Sequence, residues 1–147
     1  MENNKKTGTF FLLFIVVLGT IGDGLSSSLG LIAALHANNL LSYIVGGMGG
    51  VVITGFVAAT DAIFASKSPL LIIVWVLATI VDAATSLVAT SFYVVGGNQL
   101  SQAIDFTKLS VNFGNPQALL GFTLMILLTC SSMAVGGVLN NFLKELD

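Results

Sequence analysis

Two stretches of this sequence share a pattern that decides how the chain folds. Residues 17–27 read VLGTIGDGLSS, and residues 76–86 read VLATIVDAATS. Each stretch carries a single Asp near the middle of a longer run of apolar and small residues. A helix needs about 20 such residues to cross the hydrocarbon core of a bilayer. Both stretches are therefore predicted to lie in membrane-spanning helices with an acid at mid-depth.

Outward from these two stretches, the sequence contains four apolar runs of the required length. The predicted spans cover about residues 9–35, 40–65, 70–95 and 118–142, within a single domain of residues 1–147 and with one long outer loop at residues 96–117. The two short connections are polar and read HANN at residues 36–39 and SKSP at residues 66–69. Short connections place consecutive helices side by side and antiparallel. The sequence thus predicts an all-α integral membrane protein with four transmembrane helices.

The composition excludes several classes of function. The chain is 55% hydrophobic and only 8% charged, whereas soluble domains carry about 25% charged residues. It has no Arg and a single His, His36, and its single cysteine, Cys130, lies in an apolar run. These counts argue against a basic nucleic-acid-binding surface, an internal disulfide and a metal or heme site. No catalytic triad or nucleotide motif is present, so we expect no cofactor and no enzymatic activity.

The lysines predict the orientation. Alternating spans place Lys5, Lys6, Lys67 and Lys144 on one side of the membrane and Lys108 alone on the other. Positive residues mark the cytoplasmic side. The sequence therefore predicts a multi-pass protein of the cell (inner) membrane, with both termini in the cytoplasm.

An internal repeat relates the two halves of the chain. Residues 17–27 and 76–86 align without a gap at an offset of 59 residues. A weaker match relates residues 40–52 to residues 127–139, where Gly49-Gly50 aligns with Gly136-Gly137 at an offset of 87. Chance similarity is the alternative, because membrane helices draw on few residue types. A true duplication predicts two helical hairpins that form a parallel repeat about an axis along the membrane normal.

The two mid-span acids are the candidate functional residues. An acid at the bilayer centre costs about 2.5–3.5 kcal/mol on insertion scales, so Asp23 and Asp82 are expected to face the inside of the bundle. Helical spacing places hydroxyls on the same stripes, namely Thr20 and Ser27 beside Asp23, and Thr79 and Ser86 beside Asp82. One interpretation is an ion path for H⁺ or Na⁺. The other is that protonated acids bond neighbouring helices and hold the bundle together.

Glycines supply the second set of candidate residues. Gly46, Gly47 and Gly50 in span two, and Gly136 and Gly137 in span four, are typical of faces on which helices pack closely. We expect such faces to support assembly with further copies or with other membrane proteins. Asp61, near the predicted cytoplasmic end of span two, is interpreted as an interfacial residue.

Two functions follow from these patterns. The first is an oligomeric channel or transporter component whose mid-span carboxylates lie on a polar path. The second is a non-catalytic subunit that scaffolds or anchors a larger complex in the membrane. In both cases the expected partners are the lipid bilayer and other membrane subunits, with no nucleic acid.

Overall fold

The computed structural model describes residues 2–95, 97 and 115–145, and every element in this part of the chain is a helix. The elements are α1 (Glu2–Ala34), α2 (Leu40–Ala58), α3 (Thr60–Ala65), α4 (Pro69–Val88), a π-helical segment (Ala89–Val95) and α5 (Pro116–Lys144).

Four helical stretches are long and apolar enough to cross a membrane. They are Thr7–Ala34, Leu40–Ala58, Pro69–Val95 and Pro116–Lys144. The prediction of four long apolar helices is therefore confirmed. Most of the predicted outer loop, including Lys108, lies outside the described residues.

Polar residues and prolines set the helix ends at the two short connections. The side chain of Asn39 accepts a hydrogen bond from the backbone N–H of Ser42 at 3.0 Å and caps α2. Pro69 occupies the first turn of α4, where its missing N–H costs no helical hydrogen bond. His36 and Lys67 adopt left-handed backbone conformations, with φ of 48° and 54°. These turns reverse the chain direction after α1 and after α3.

The predicted second span, residues 40–65, consists of two helices, because the helical conformation is interrupted at Ala59 between α2 and α3. The indole N–H of Trp75 in α4 donates to the hydroxyl of Thr60 at 3.0 Å. The rings of Phe64 and Trp75 lie edge to face with centroids 5.0 Å apart. These contacts hold α3 against α4, and α3 ends at Ala65.

The two ends of the described chain lie together. Thr9 in α1 donates to a carboxylate oxygen of Glu145 at 3.2 Å, and the rings of Phe10 and Phe142 are 6.1 Å apart. The start of α1 and the end of α5 are therefore at the same end of the bundle. The turns at His36 and Lys67 reverse the chain, so α1 and α4 run one way and α2 runs the other. Because its end lies at the start of α1, α5 also runs opposite to α1.

The interior of this bundle is more polar than its surface. The buried hydrophobic side chains are Val16, Val57, Ile63, Ala89 and Met125. The buried polar side chains are Asp23, Ser26, Ser27, Thr54, Asp82, Thr85, Ser86, Thr90, Thr129 and Ser132. Large apolar side chains such as Phe11, Leu25 and Leu40 point outward. This inverted arrangement suits a helical bundle in lipid, where apolar surface gains nothing by turning inward.

Candidate functional site

The two mid-span acids face each other across the contact between α1 and α4. Asp23 and Asp82 are both 0% exposed. Ser27 in α1 donates to Oδ1 of Asp82 at 2.5 Å, and Ser86 in α4 donates to Oδ1 of Asp23 at 3.0 Å. The arrangement is reciprocal: α1 and α4 each contribute one acid and one serine, and each serine donates to the acid of the other helix.

The other two long helices complete the coordination of the acids. Thr54 in α2 donates to Oδ1 of Asp82 at 2.9 Å. Ser132 in α5 donates to Oδ2 of Asp23 at 2.5 Å. All four long helices therefore meet in one buried group of polar side chains, which we call the central cluster. Its members are Asp23, Ser27, Thr54, Asp82, Ser86 and Ser132.

Hydroxyl groups also connect the two acids to each other. The Oγ atoms of Ser27 and Ser86 are 3.0 Å apart, and Ser26 lies 2.8 Å from Ser86. Thr85 donates to the hydroxyl of Ser27 at 3.3 Å. An unbroken set of hydroxyl contacts thus joins one carboxyl group to the other.

One carboxyl oxygen in the central cluster differs from the rest. Oδ2 of Asp82 is buried and accepts no hydrogen bond from the described residues. The carboxyl groups of Asp23 and Asp82 are also near enough to interact directly with each other. By sequence, residues 7–35, 40–66, 68–95 and 116–143 contain no Lys or Arg. These stretches therefore supply no basic side chain that could balance the charge of the acids.

Close backbone contacts bring the helices near enough for these bonds. A Cβ atom at Gly30 would overlap the backbone carbonyl of Thr85, and one at Gly50 would overlap the backbone of Ser28. Small residues at such crossings let helices approach closely. Gly30 thus sets the spacing of α1 and α4, and Gly50 sets that of α1 and α2.

Only some of the residues predicted to share a helix face with Asp23 or Asp82 lie together in the structure. Asp23, Ser27, Asp82 and Ser86 belong to the central cluster. Thr20 instead donates to the carbonyl of Val16 in its own helix, at 2.9 Å. The hydroxyl oxygen of Thr79 is buried and has no hydrogen-bond partner among the described residues.

Thr54 and Ser132 belong to the site but were not among the residues predicted from the sequence. Helical spacing could have indicated both residues, because each lies on the same buried face as small or polar residues three or four positions away. Thr54 follows Gly46 and Gly50 at four-residue spacing, and all three are buried. Ser132 ends the buried stripe of α5, which comprises Gly121, Met125, Thr129 and Ser132.

The glycines of spans two and four have different neighbours. Gly46 and Gly50 pack against α1 of the same chain, whereas a Cβ at Gly47 would meet no atom within 4 Å. A Cβ at Gly137 would stand 3.0 Å from a carboxylate oxygen of Asp61, and one at Gly136 would stand 3.5 Å from it. The two Gly-Gly pairs that align in sequence are thus not in corresponding contacts.

Within residues 2–95, 97 and 115–145, no group of three or more His, Cys, Asp and Glu side chains is placed to hold a metal ion. Comparisons with protein-family models, with curated proteins and with solved structures find no match to this chain.

Proposed function

We propose that this protein is a component of an ion channel or transporter and that Asp23 and Asp82 lie on its ion path. The observation that carries the proposal is the pair of buried, adjacent carboxyl groups in the central cluster. Charged groups inside a membrane ordinarily mark ion pathways or proton relays. Four hydroxyl donors directed at the two acids stabilise negative charge there.

The negative charge of Asp23 and Asp82 has to be balanced by a mobile cation, because no basic side chain is available for it at mid-span. Removing two acids from water is costly unless each is neutralised or paired. Residues 7–35, 40–66, 68–95 and 116–143 provide no Lys or Arg for this purpose. A mobile cation, either H⁺ or a metal ion, is the remaining way to balance the charge, and an exchangeable cation is what a transport site requires.

We also propose that all four long helices cross the cell membrane and that copies of the protein assemble into an oligomer. The apolar outer surface of the bundle suits contact with lipid. The central cluster is closed within one chain, so copies would associate through outward-facing surfaces. Gly47 offers such a surface, because a Cβ there would meet no atom of the other described helices within 4 Å.

A duplication of one hairpin accounts for the symmetry of the central cluster. The offset of 59 residues that relates Asp23 to Asp82 also relates Ser27 to Ser86. The two hydrogen bonds between α1 and α4 are exchanged by the same relation. Thr54 and Ser132 play equivalent parts but are 78 residues apart rather than 87, so the weaker sequence match does not align the donors of the second helices.

Ion flux through liposomes tests the proposed function. Wild-type protein should carry current or dissipate an imposed gradient of H⁺, Na⁺ or K⁺ faster than protein-free liposomes do. Each cation is imposed separately, with choline replacing the others. Equal rates in the two preparations for every cation would remove the ion-path proposal.

Membrane orientation is a second expected result. In a Cys130→Ala background, an Asn112→Cys thiol should react with an impermeant reagent from outside the cell. A Ser66→Cys thiol, in the turn after α3, should react only after the membrane is opened. The physical reason is the excess of lysines on the side of Lys67. The opposite labelling pattern would reverse the assigned topology.

A structural scaffold is the second candidate, and the same cluster favours it. Asp82 is bonded to α1 and α2, and Asp23 is bonded to α4 and α5. Hydrogen bonds between helices in membranes contribute about 0.6 kcal/mol each on average, so four of them would help to hold the bundle together. In that case the protein would fold as described and move no ions.

A further inference from the structure

The hydrogen bonds of the central cluster leave one carboxyl oxygen for an incoming ion. Both oxygens of Asp23 accept from hydroxyls, Oδ1 from Ser86 and Oδ2 from Ser132. Oδ1 of Asp82 accepts from Ser27 and Thr54. Only Oδ2 of Asp82 is buried without a donor among the described residues. Oδ2 of Asp82 is therefore the carboxyl oxygen to which an incoming cation can bind.

A metal cation requires more ligands than this site offers. Cations that leave water need a shell of several oxygens to replace their hydration. The hydroxyls around the acids keep oxygen lone pairs after they donate to carboxylates, but those of Ser27 and Ser86 also lie within hydrogen-bonding distance of other hydroxyls. Among the described residues of the cluster, Oδ2 of Asp82 is the one carboxyl oxygen without a partner. A proton needs one oxygen to bind and one neighbouring acceptor. The carboxyl group of Asp23, which Ser86 and Ser27 join to Asp82, can serve as that acceptor.

Two further buried oxygens lie above and below this site along the bundle. Thr79 precedes Asp82 by three residues in α4, and Thr129 precedes Ser132 by three residues in α5. Neither hydroxyl oxygen has a hydrogen-bond partner among the described residues. Because α4 and α5 run in opposite directions, the two are displaced to opposite sides of the acids, each by about 4.5 Å. They are too widely spread to coordinate one metal ion with Asp82.

The hydroxyls of Thr79 and Thr129, on opposite sides of the acids along the bundle, suit proton transfer. Buried polar groups without a protein partner are ordinarily hydrogen-bonded to internal water. Water bound at Thr79 and at Thr129 would reach the acids from the two sides of the membrane. A chain of hydroxyls and water conducts protons without dehydrating a metal ion.

We propose that the ion is a proton and that it is carried on Oδ2 of Asp82, where it is shared with the carboxylate of Asp23. A protonated water on one side gives up a proton as one of its O–H bonds breaks, and an O–H bond forms at Oδ2. That bond breaks when a neutral water on the other side accepts the proton and becomes protonated in turn. Asp23 remains the anionic acceptor, held by Ser86 and Ser132. This inference rests on the proposed function, because it names the ion that the path conducts.

The surroundings of Asp82 contain one other titratable group in the part of the chain that the structure describes. That group is Asp23 in α1. The neighbouring helices α2 and α5 contribute the hydroxyls of Thr54 and Ser132. Asp61 is seven residues beyond Thr54, about 10 Å along the helix, and packs beside Gly137. Protonation at the central cluster is therefore governed by the two acids together.

Two measurements on the full chain in liposomes test the inference. The first compares proton flux in choline buffer with flux after addition of Na⁺ or K⁺. The second records the infrared C=O stretch of a protonated carboxyl group as pH is raised. Wild type should conduct protons without any alkali cation, and its carboxyl band should disappear with pH in the same way in Na⁺ and in choline.

Single substitutions assign the proton to one acid. Asp82→Asn should remove the titrating band and stop proton flux. Its amide oxygen can still accept from Ser27 and Thr54, and its amide nitrogen then occupies the position of Oδ2. Asp23→Asn should retain a titrating band, because Asp82 is still present.

The outcomes separate this inference from the proposed function. Flux that requires Na⁺ or K⁺ and leaves the pH of the liposome lumen unchanged would overturn the proton assignment and leave the ion path standing. A band lost in Asp23→Asn and kept in Asp82→Asn would place the proton on Asp23 and overturn its assignment to Asp82. Absence of all flux would remove the ion path, while the infrared titration would still decide whether Asp82 holds a proton. If neither variant can be purified, the wild-type comparison of choline with Na⁺ still distinguishes a proton from a metal cation.

Discussion

Liposomes that contain the Asp23→Asn/Asp82→Asn variant should show no ion flux above that of protein-free liposomes. The substitution removes both ionisable groups of the central cluster and leaves an uncharged amide in each place. An amide differs little from a carboxyl group in shape, so the helices need not move. We therefore expect complete loss of flux with unchanged helix content and unchanged elution in mild detergent.

The hydrogen bonds of the central cluster explain why this variant should fold. Asn at position 82 keeps one oxygen for the donors Ser27 and Thr54. Asn at position 23 presents its NH₂ group to either Ser86 or Ser132, and a hydroxyl can accept from NH₂ as well as donate. A serine can also turn its own proton to the carbonyl four residues earlier, as Ser131 does toward Leu127. The cost to stability should be about 1–3 kcal/mol at most.

Thr20→Val is the matched control for the double variant. Thr20 lies on the same helix as Asp23 but, within the described part of the chain, its hydroxyl bonds the carbonyl of Val16 rather than an acid. Its loss should leave flux near that of the wild type. Normal flux from the double Asn variant would show that the acids serve packing alone, and the scaffold function would then be favoured.

Gly50→Leu should prevent the bundle from folding. A Cβ at this position would overlap the backbone nitrogen and Cα of Ser28, so no rotamer change can relieve the contact. Even modest overpacking of a core costs about 1–3 kcal/mol, and here α1 and α2 must separate. Separation would also pull Ser27 and Thr54 away from Asp82. We expect aggregation or loss of the protein during purification.

Gly55→Leu provides the comparison within the same helix. Gly55 is exposed, and a Cβ there would meet no atom within 4 Å. This variant should elute and melt as the wild type does in detergent. A well-folded Gly50→Leu protein with an unchanged melting temperature would mean that α1 and α2 do not pack as described. Glycine spacing alone favoured contact between subunits at Gly46, Gly47 and Gly50, but α1 of the same chain covers Gly46 and Gly50.

For the central cluster, the sequence predicted which side chains share a helix face but not which side chains contact each other between helices. Helical spacing placed Ser27 on the stripe of Asp23, and Ser86 on the stripe of Asp82. It could not show that each serine bonds the acid of the other helix. Thr20 shares the stripe of Asp23 and stays bonded within its own helix, whereas Thr54, on a different span, donates to Asp82. Periodicity defines a face, and the rotation and depth of the neighbouring helix decide which groups on that face meet.

The sequence alone determined the four long apolar helices and the placement of one acid near the middle of two of them. Both follow from local properties, namely the length of each apolar run and the position of Asp within it. Three features emerge only in the folded bundle. The two acids adjoin, donors from all four long helices converge on them, and Oδ2 of Asp82 has no donor among the described residues. These features depend on distances of about 3 Å between residues far apart in the chain. Such distances are set by close backbone contacts, as at Gly30 and Gly50, which no single helix specifies by itself.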